Sequence, residues 1–233
     1  IDGDIQGPCQ HFLFNLPEEQ TVCSLYDFLH GGSTLREVPV YVPPKPGKNS
    51  EAQESGTNGD SDGLPEPWYL YLVPSETITP SSRVRVAASY DVGRLRQGLN
   101  DFAERLALDV LVVDTPAGLG AATMTILALC DQLLAVLTLD RREVHGSSIT
   151  VGVARELEVP KTKMVINKAP RGYDPETIGR QVAVSCGCEV VAILPYADEI
   201  ASLESGGLFT QRYPDHPATW SMHKLLHSIL ATA

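Results

Sequence analysis

Leu111-Val-Val-Asp-Thr-Pro-Ala-Gly-Leu-Gly120 is the stretch whose reading decides the fold. The run over residues 110–113 is short, β-branched and uncharged, the composition of a strand buried on both faces of a parallel sheet. It delivers a carboxylate, Asp114, to the point where strand meets loop. Pro116 stops the strand, and Ala117, Gly118 and Gly120 leave a bare backbone that a phosphate can approach closely. A helix is expected from Ala121, and its first amides add partial positive charge beside the same spot. A carboxylate for Mg²⁺ next to such a turn is what phosphoryl-transfer chemistry requires of a strand end.

Working outward, strands alternate with helices. Apolar residues recur at Val92, Leu95, Leu99, Phe102 and Leu106, a helical stripe over 91–106. After the 110–113 strand the pattern predicts a helix over 121–130, a strand over 133–138 and a helix over 145–157. A strand over 163–167, a helix over 175–185, a strand over 189–194 and a helix near 200–205 follow. The last helix is expected over 217–231. Earlier, residues 68–73 read as a strand, and Leu25 to Leu29 as a short helix capped by Gly31-Gly32. This alternation implies right-handed βαβ units: an α/β fold with a doubly wound, mostly parallel sheet and helices on both faces. Ligands of such sheets lie beyond the carboxyl ends of the strands, where Asp4, Asp114, Asp140, Asn167 and Pro195 all fall.

No Gly-x-x-x-x-Gly-Lys-Ser/Thr motif, the loop that cradles β- and γ-phosphates, occurs in the 233 residues. Gly47-Lys48-Asn49-Ser50 imitates its end, but Val42 stands in place of the first glycine. The opening Ile1-Asp2-Gly3-Asp4 reads as the end of a strand. The expectation is a chain that starts after a first strand, phosphate loop and helix.

Four motifs in order resemble the MinD/ParA family of deviant-Walker P-loop ATPases, on the MinD side. They are Asp2-Gly3-Asp4-Ile5-Gln6-Gly7-Pro8, Asp114-Thr115-Pro116-Ala117-Gly118, Asn167-Lys168, and Leu194-Pro195-Tyr196 followed by Gly206-Gly207. The resemblance implies a P-loop NTPase-like fold, ATP and Mg²⁺ as ligands, and an ATP-dependent homodimer that recruits regulators or cargo adaptors. It implies that Asp114 holds the Mg²⁺ shell through water and that Asp4 is a catalytic switch residue near the attacking water. Gly118 then becomes a backbone donor to the γ-phosphate, Asn167 reads the adenine edge, and Pro195 and Tyr196 line the base. Such proteins position septa, plasmids, chromosomes and flagella, which places the chain in the cytoplasm with peripheral contact to the membrane as an option. The absent phosphate loop implies that these 233 residues alone do not hydrolyse ATP.

Simpler readings stand beside these roles. Asp140 is better explained as a helix N-cap, Asn167 competes with a turn residue, and Asp2 with a plain strand end. Two other functions compete as well. One is a non-catalytic scaffold acting by protein contacts, separated from the ATPase by the presence of a phosphate loop. The other is a NAD-dependent Rossmann enzyme, suggested by Gly118-Leu-Gly120 and by Asp140 at roughly the 20-residue distance of a ribose-binding acid. Against the latter, Thr123 replaces the third glycine, and NAD binding would decide it.

Composition narrows the field. A chain of 233 residues that is 43% hydrophobic can bury one α/β core, so a single domain over 1–233 is expected. A net charge of −11 argues against a broad nucleic-acid surface, and Arg141-Arg142 reads as a solvated loop. Five cysteines at irregular spacing read as reduced thiols, and Cys186-Gly187-Cys188 has no second pair to complete a zinc site. His223 and His227, one turn apart, read as surface residues. The final helix has the apolar face Met222, Leu225, Leu226, Ile229 and Leu230 but little positive charge beyond Lys224, which favours packing on the sheet over membrane docking.

Residues 43–67 are rich in Pro, Gly, Ser and Asn, with too few apolar groups to offset the entropy of ordering. They are expected to form a disordered insertion. Limited proteolysis should therefore cut there first, and deleting most of the segment should leave the melting temperature nearly unchanged. A large drop in melting temperature on deletion would show that the segment packs.

Overall fold

The computed structural model describes residues 1–4, 9–14, 24–29, 40–42, 69–75, 91–204 and 206–230. The 43–67 segment and the Gly31-Gly32 cap lie outside them. The chain forms two compact units, one of residues 1–86 with 97–114 and one of residues 87–96 with 115–233.

In the first unit, α1 (Gln10–Leu13) and α2 (Leu25–Leu29) precede the strands β1 (Val40–Val42) and β2 (Leu70–Leu72). These strands pair antiparallel, Val42 opposite Leu70 and Val40 opposite Leu72. Helix α2 starts in a capping box: the Asp27 N–H donates to Ser24 Oγ at 3.2 Å, and the Ser24 N–H donates to Asp27 Oδ2 at 2.9 Å. The Leu25 N–H donates to Pro74 O at 2.9 Å, tying this helix to the end of β2. Segment 1–3 lies between two backbones. The Asp2 N–H donates to Val73 O at 2.9 Å, and on the other side Asp2 forms a parallel bridge with Asp114.

That bridge corrects the expectation for residues 110–113. The segment is extended but forms no regular strand, and it is not buried on both faces: Val110 is 46% and Val112 70% exposed. The ladder includes the Ile1 nitrogen donating to Val112 O at 2.7 Å. It ends after the Gly3 N–H reaches Asp114 O at 3.0 Å, just before Pro116, which has no N–H to donate.

Helix α3 (Val92–Leu106) contributes residues to both units and buries Leu95 and Phe102 from the predicted stripe. The rest of the second unit is α4 (Ala121–Leu127), β3 (Gln132–Leu137), α5 (Arg141–Glu156), β4 (Lys161–Ala169), α6 (Pro175–Cys186), β5 (Val190–Pro195), α7 (Asp198–Ser202), α8 (Phe209–Arg212) and α9 (Pro217–Leu230). The sheet order is β3-β4-β5, all parallel, with Leu137 beside Ile166 and Ile166 beside Ile193. Alternation along β4 sorts its faces. Met164 and Ile166 enter a core with Leu137, Val151, Ile178 and Val182, under α5 and α6. Lys163 and Val165 point the other way, where Lys163 Nζ donates to Ser228 O of α9 at 2.8 Å. Helices therefore cover both faces, and α9 packs on the sheet.

Boundaries moved where a cap acts. Helix α5 starts four residues before the expected His145, because Asp140 Oδ1 accepts the Arg142 N–H at 2.8 Å. Asp140 is thus an N-cap, and Arg141-Arg142 open a helix rather than a loop. Helix α4 ends at Leu127, short of the expected Cys130, in a turn where the Cys130 N–H donates to Ile126 O at 3.0 Å. Strand β4 is longer than 163–167. Helix α7 ends at Ser202, before the expected end at 205, and α1, β1 and α8 were not foreseen.

Candidate functional site

Asp2, Asp4 and Asp114 lie in the first unit, with the backbones of Asp2 and Asp114 bridged. Asp2 is fully buried and accepts three backbone N–H groups: Asp4 on Oδ1 at 3.3 Å, and Cys9 and Gln10 on Oδ2 at 3.1 and 3.2 Å. Burial pushes its carboxyl pKa up, the three N–H groups oppose that, and the negative charge of Asp114 adds to the rise. Asp4 is half-buried, at the end of the same segment. Asp114 is exposed, and its Oδ2 accepts Gln10 Nε2 at 2.8 Å. The Cys9 thiol is also pushed up, first by burial and then by Asp2, Asp114 and Asp4, so all three charges bear on one place.

Gly118 lies in the second unit, within the bend that leads to α4. Its φ of +83° is left-handed backbone that a β-carbon would strain, and nothing lies within 4 Å of where that carbon would sit. This is the bare backbone expected of the segment. The Thr123 hydroxyl donates to Pro116 O at 3.3 Å and ties the bend to the first turn of α4.

At the carboxyl end of the parallel sheet, the structure brings Asn167, Pro195 and Tyr196 together. Pro195 is opposite Ala169, and the Tyr196 N–H donates to Ala169 O at 2.9 Å. Asn167 Oδ1 accepts the N–H of Lys168 at 2.9 Å, with Lys168 at a φ of 53°. Asn167 itself is a residue of β4, so the turn reading does not hold for it; the left-handed residue is Lys168, and the Asn167 side-chain NH₂ has donors to offer. Tyr196 is 44% exposed.

Asp140, the ribose-binding acid of the Rossmann reading, is committed to Arg142 through its side chain and its N–H, which hold its pKa down. Gln10 and the inward role of Asp2 had no signal in the sequence. Nothing in the spacing of Asp2, Cys9 and Gln10 announces that residues 9 and 10 fold back over Asp2.

No protein-family model matches the chain, and no curated protein matches it in sequence. Solved structures do match. The cell division ATPase MinD of Pyrococcus furiosus superposes with a TM-score of 0.73 at 16% identity, over 100% of this chain and 84% of that one. An ATP complex of a McdA variant from Cyanothece gives 0.69 at 12% identity, over 99% and 83%. MinD in the MinC:MinD cell division complex of Aquifex aeolicus gives 0.68 at 14% identity, over 95% and 78%. The chain has a MinD/ParA-like, P-loop NTPase-like α/β fold.

Proposed function

We propose that this chain carries the switch and base-binding residues of a MinD-like ATPase, which binds ATP with Mg²⁺, dimerises in the ATP state and recruits protein partners for intracellular positioning. The observation that carries the reading is the placement of Asp4 and Asp114 against buried Asp2, in a fold whose neighbours include ATPases. Oxygen donors suit Mg²⁺. Among the described residues no three His, Cys, Asp or Glu side chains gather closely enough to hold a bare ion. Mg²⁺ commonly keeps most of its waters and leans on one carboxylate and the phosphates. Asp114 would hold that shell, and Mg²⁺ would neutralise charge on the transferring phosphoryl group. Gly118 would donate its N–H to the γ-phosphate, Asp4 would orient the attacking water, and Asn167, Pro195 and Tyr196 would take the adenine.

No helix among the described residues is long and apolar enough to cross a membrane. MinC is a partner of one structural neighbour, and a protein regulator of this chain is proposed by that analogy alone.

ATP affinity tests the reading. The 233 residues contain no phosphate-loop lysine, whose loop supplies most donors to the β- and γ-phosphates. By themselves they should bind ATP·Mg²⁺ far more weakly than micromolar in isothermal titration. Joined to a Gly-x-x-x-x-Gly-Lys loop, the chain should bind ATP and dimerise with ATP but not with ADP. Micromolar binding without the loop, or nucleotide-independent association with it, would favour another mechanism; in the second case, the scaffold.

A further inference from the structure

We propose that Gln10 is the positioning residue of the Asp114 carboxylate, and that Asp2 in turn fixes Gln10; the inference rests on the reading of Asp114 as the Mg²⁺-shell carboxylate. Gln10 begins α1 and is held at both ends. Its backbone N–H donates to Asp2 Oδ2 at 3.2 Å, next to the Cys9 N–H at 3.1 Å. Its side-chain Nε2 donates to Asp114 Oδ2 at 2.8 Å. Asp2 and Asp114 are themselves bridged through their backbones, with the Gly3 N–H on Asp114 O at 3.0 Å. Asp2, Gln10 and Asp114 therefore close a ring in which every link between chain segments is a hydrogen bond.

A side-chain amide suits this position chemically. It is neutral, so the negative charge of Asp114 stays available to a cation, and it is a donor, so it selects one orientation of the carboxylate. An ammonium or guanidinium there would neutralise Asp114 and repel Mg²⁺. Carboxylates that serve metals are commonly oriented by such outer partners, and losing one costs typically ~10–100-fold in metal affinity.

The experiment is a Mn²⁺ titration, with ATP present, of this chain joined to a Gly-x-x-x-x-Gly-Lys loop, read by electron paramagnetic resonance of the unbound ion and by paramagnetic broadening of the Gln10 side-chain amide signals. Gln10→Met keeps length and helix propensity and removes only the polar end. It should weaken Mn²⁺ binding about 10-fold, with an unchanged melting temperature. Gln10→Glu should bind Mn²⁺ at least as well as the parent, since the cation relieves the repulsion between two neighbouring carboxylates. Asp114→Asn should weaken Mn²⁺ binding more than Gln10→Met does. Unchanged affinity in Gln10→Met, with loss in Asp114→Asn, overturns the role of Gln10 and leaves the metal reading standing. Equal losses in the Met and Glu variants reduce Gln10 to a helix-start residue. Parent and Asp114→Asn binding Mn²⁺ equally overturns the metal reading and this inference with it.

Discussion

Asp4→Ala should stop ATP hydrolysis while leaving ATP binding largely intact, in an ATPase that joins this chain to a Gly-x-x-x-x-Gly-Lys loop. The Asp4 N–H is anchored on Asp2 Oδ1 at 3.3 Å. Its proposed work concerns the attacking water, which is needed in the transition state and not for holding nucleotide. Losing a group that stabilises or positions at that point costs ~10²–10³-fold in rate, by analogy with lost oxyanion donors. Asp114→Ala should differ in kind. It removes the carboxylate proposed to organise the metal shell, so Mg²⁺-dependent nucleotide affinity should fall along with turnover. Single-turnover hydrolysis and equilibrium binding on both variants separate the cases. Matching losses of binding and turnover in Asp4→Ala, with a lowered melting temperature, would make Asp4 a structural turn residue.

The order of elements in the second unit was legible because each βαβ repeat carries its own punctuation. Asp140 and Asp174 cap α5 and α6, and Gly187, at a φ of +64°, ends α6. Apolar runs between those signals had to be buried strands. The first unit was harder. Residues 110–113 look like a core strand on composition alone, yet exposure of Val112 depends on which backbones lie alongside, and no periodicity encodes that. Strand β1 has three residues and α1 four, too short for a pattern to emerge. For the proposed site, Asp114 and Gly118 stand out on local chemistry, a carboxylate, a proline and glycines after an apolar run. The pairing of Gln10 with Asp114 spans most of the unit and is created by folding.

Asp2→Ala is expected to be the most damaging single change in the first unit, costing roughly 2–4 kcal/mol in urea denaturation. The side chain is fully buried and accepts the N–H groups of Asp4, Cys9 and Gln10. Truncation leaves those donors without an acceptor, each worth roughly 1–3 kcal/mol when water cannot replace it. Asp2→Asn should be far milder near neutral pH, since its carbonyl oxygen still accepts from Cys9 and Gln10 and no charge is buried. The two variants also differ in pH dependence. Burial raises the Asp2 pKa above its ordinary 3.8, so the folded protein holds the proton more tightly than the unfolded chain. The stability contributed by this group is therefore fully present below pH 3.8 and is lost as pH rises through the raised folded value. Asp2→Asn lacks that term, so its stability relative to the parent should improve as pH increases across this window. A parent and an Asn variant with parallel pH profiles would show that Asp2 is not ionising in a buried site. Asp2→Ala within ~1 kcal/mol of the parent would show that water reaches the three N–H groups. Either result would return Asp2 to an ordinary strand end, and the Asp-Gly-Asp motif would then leave Asp4 without a rigid support.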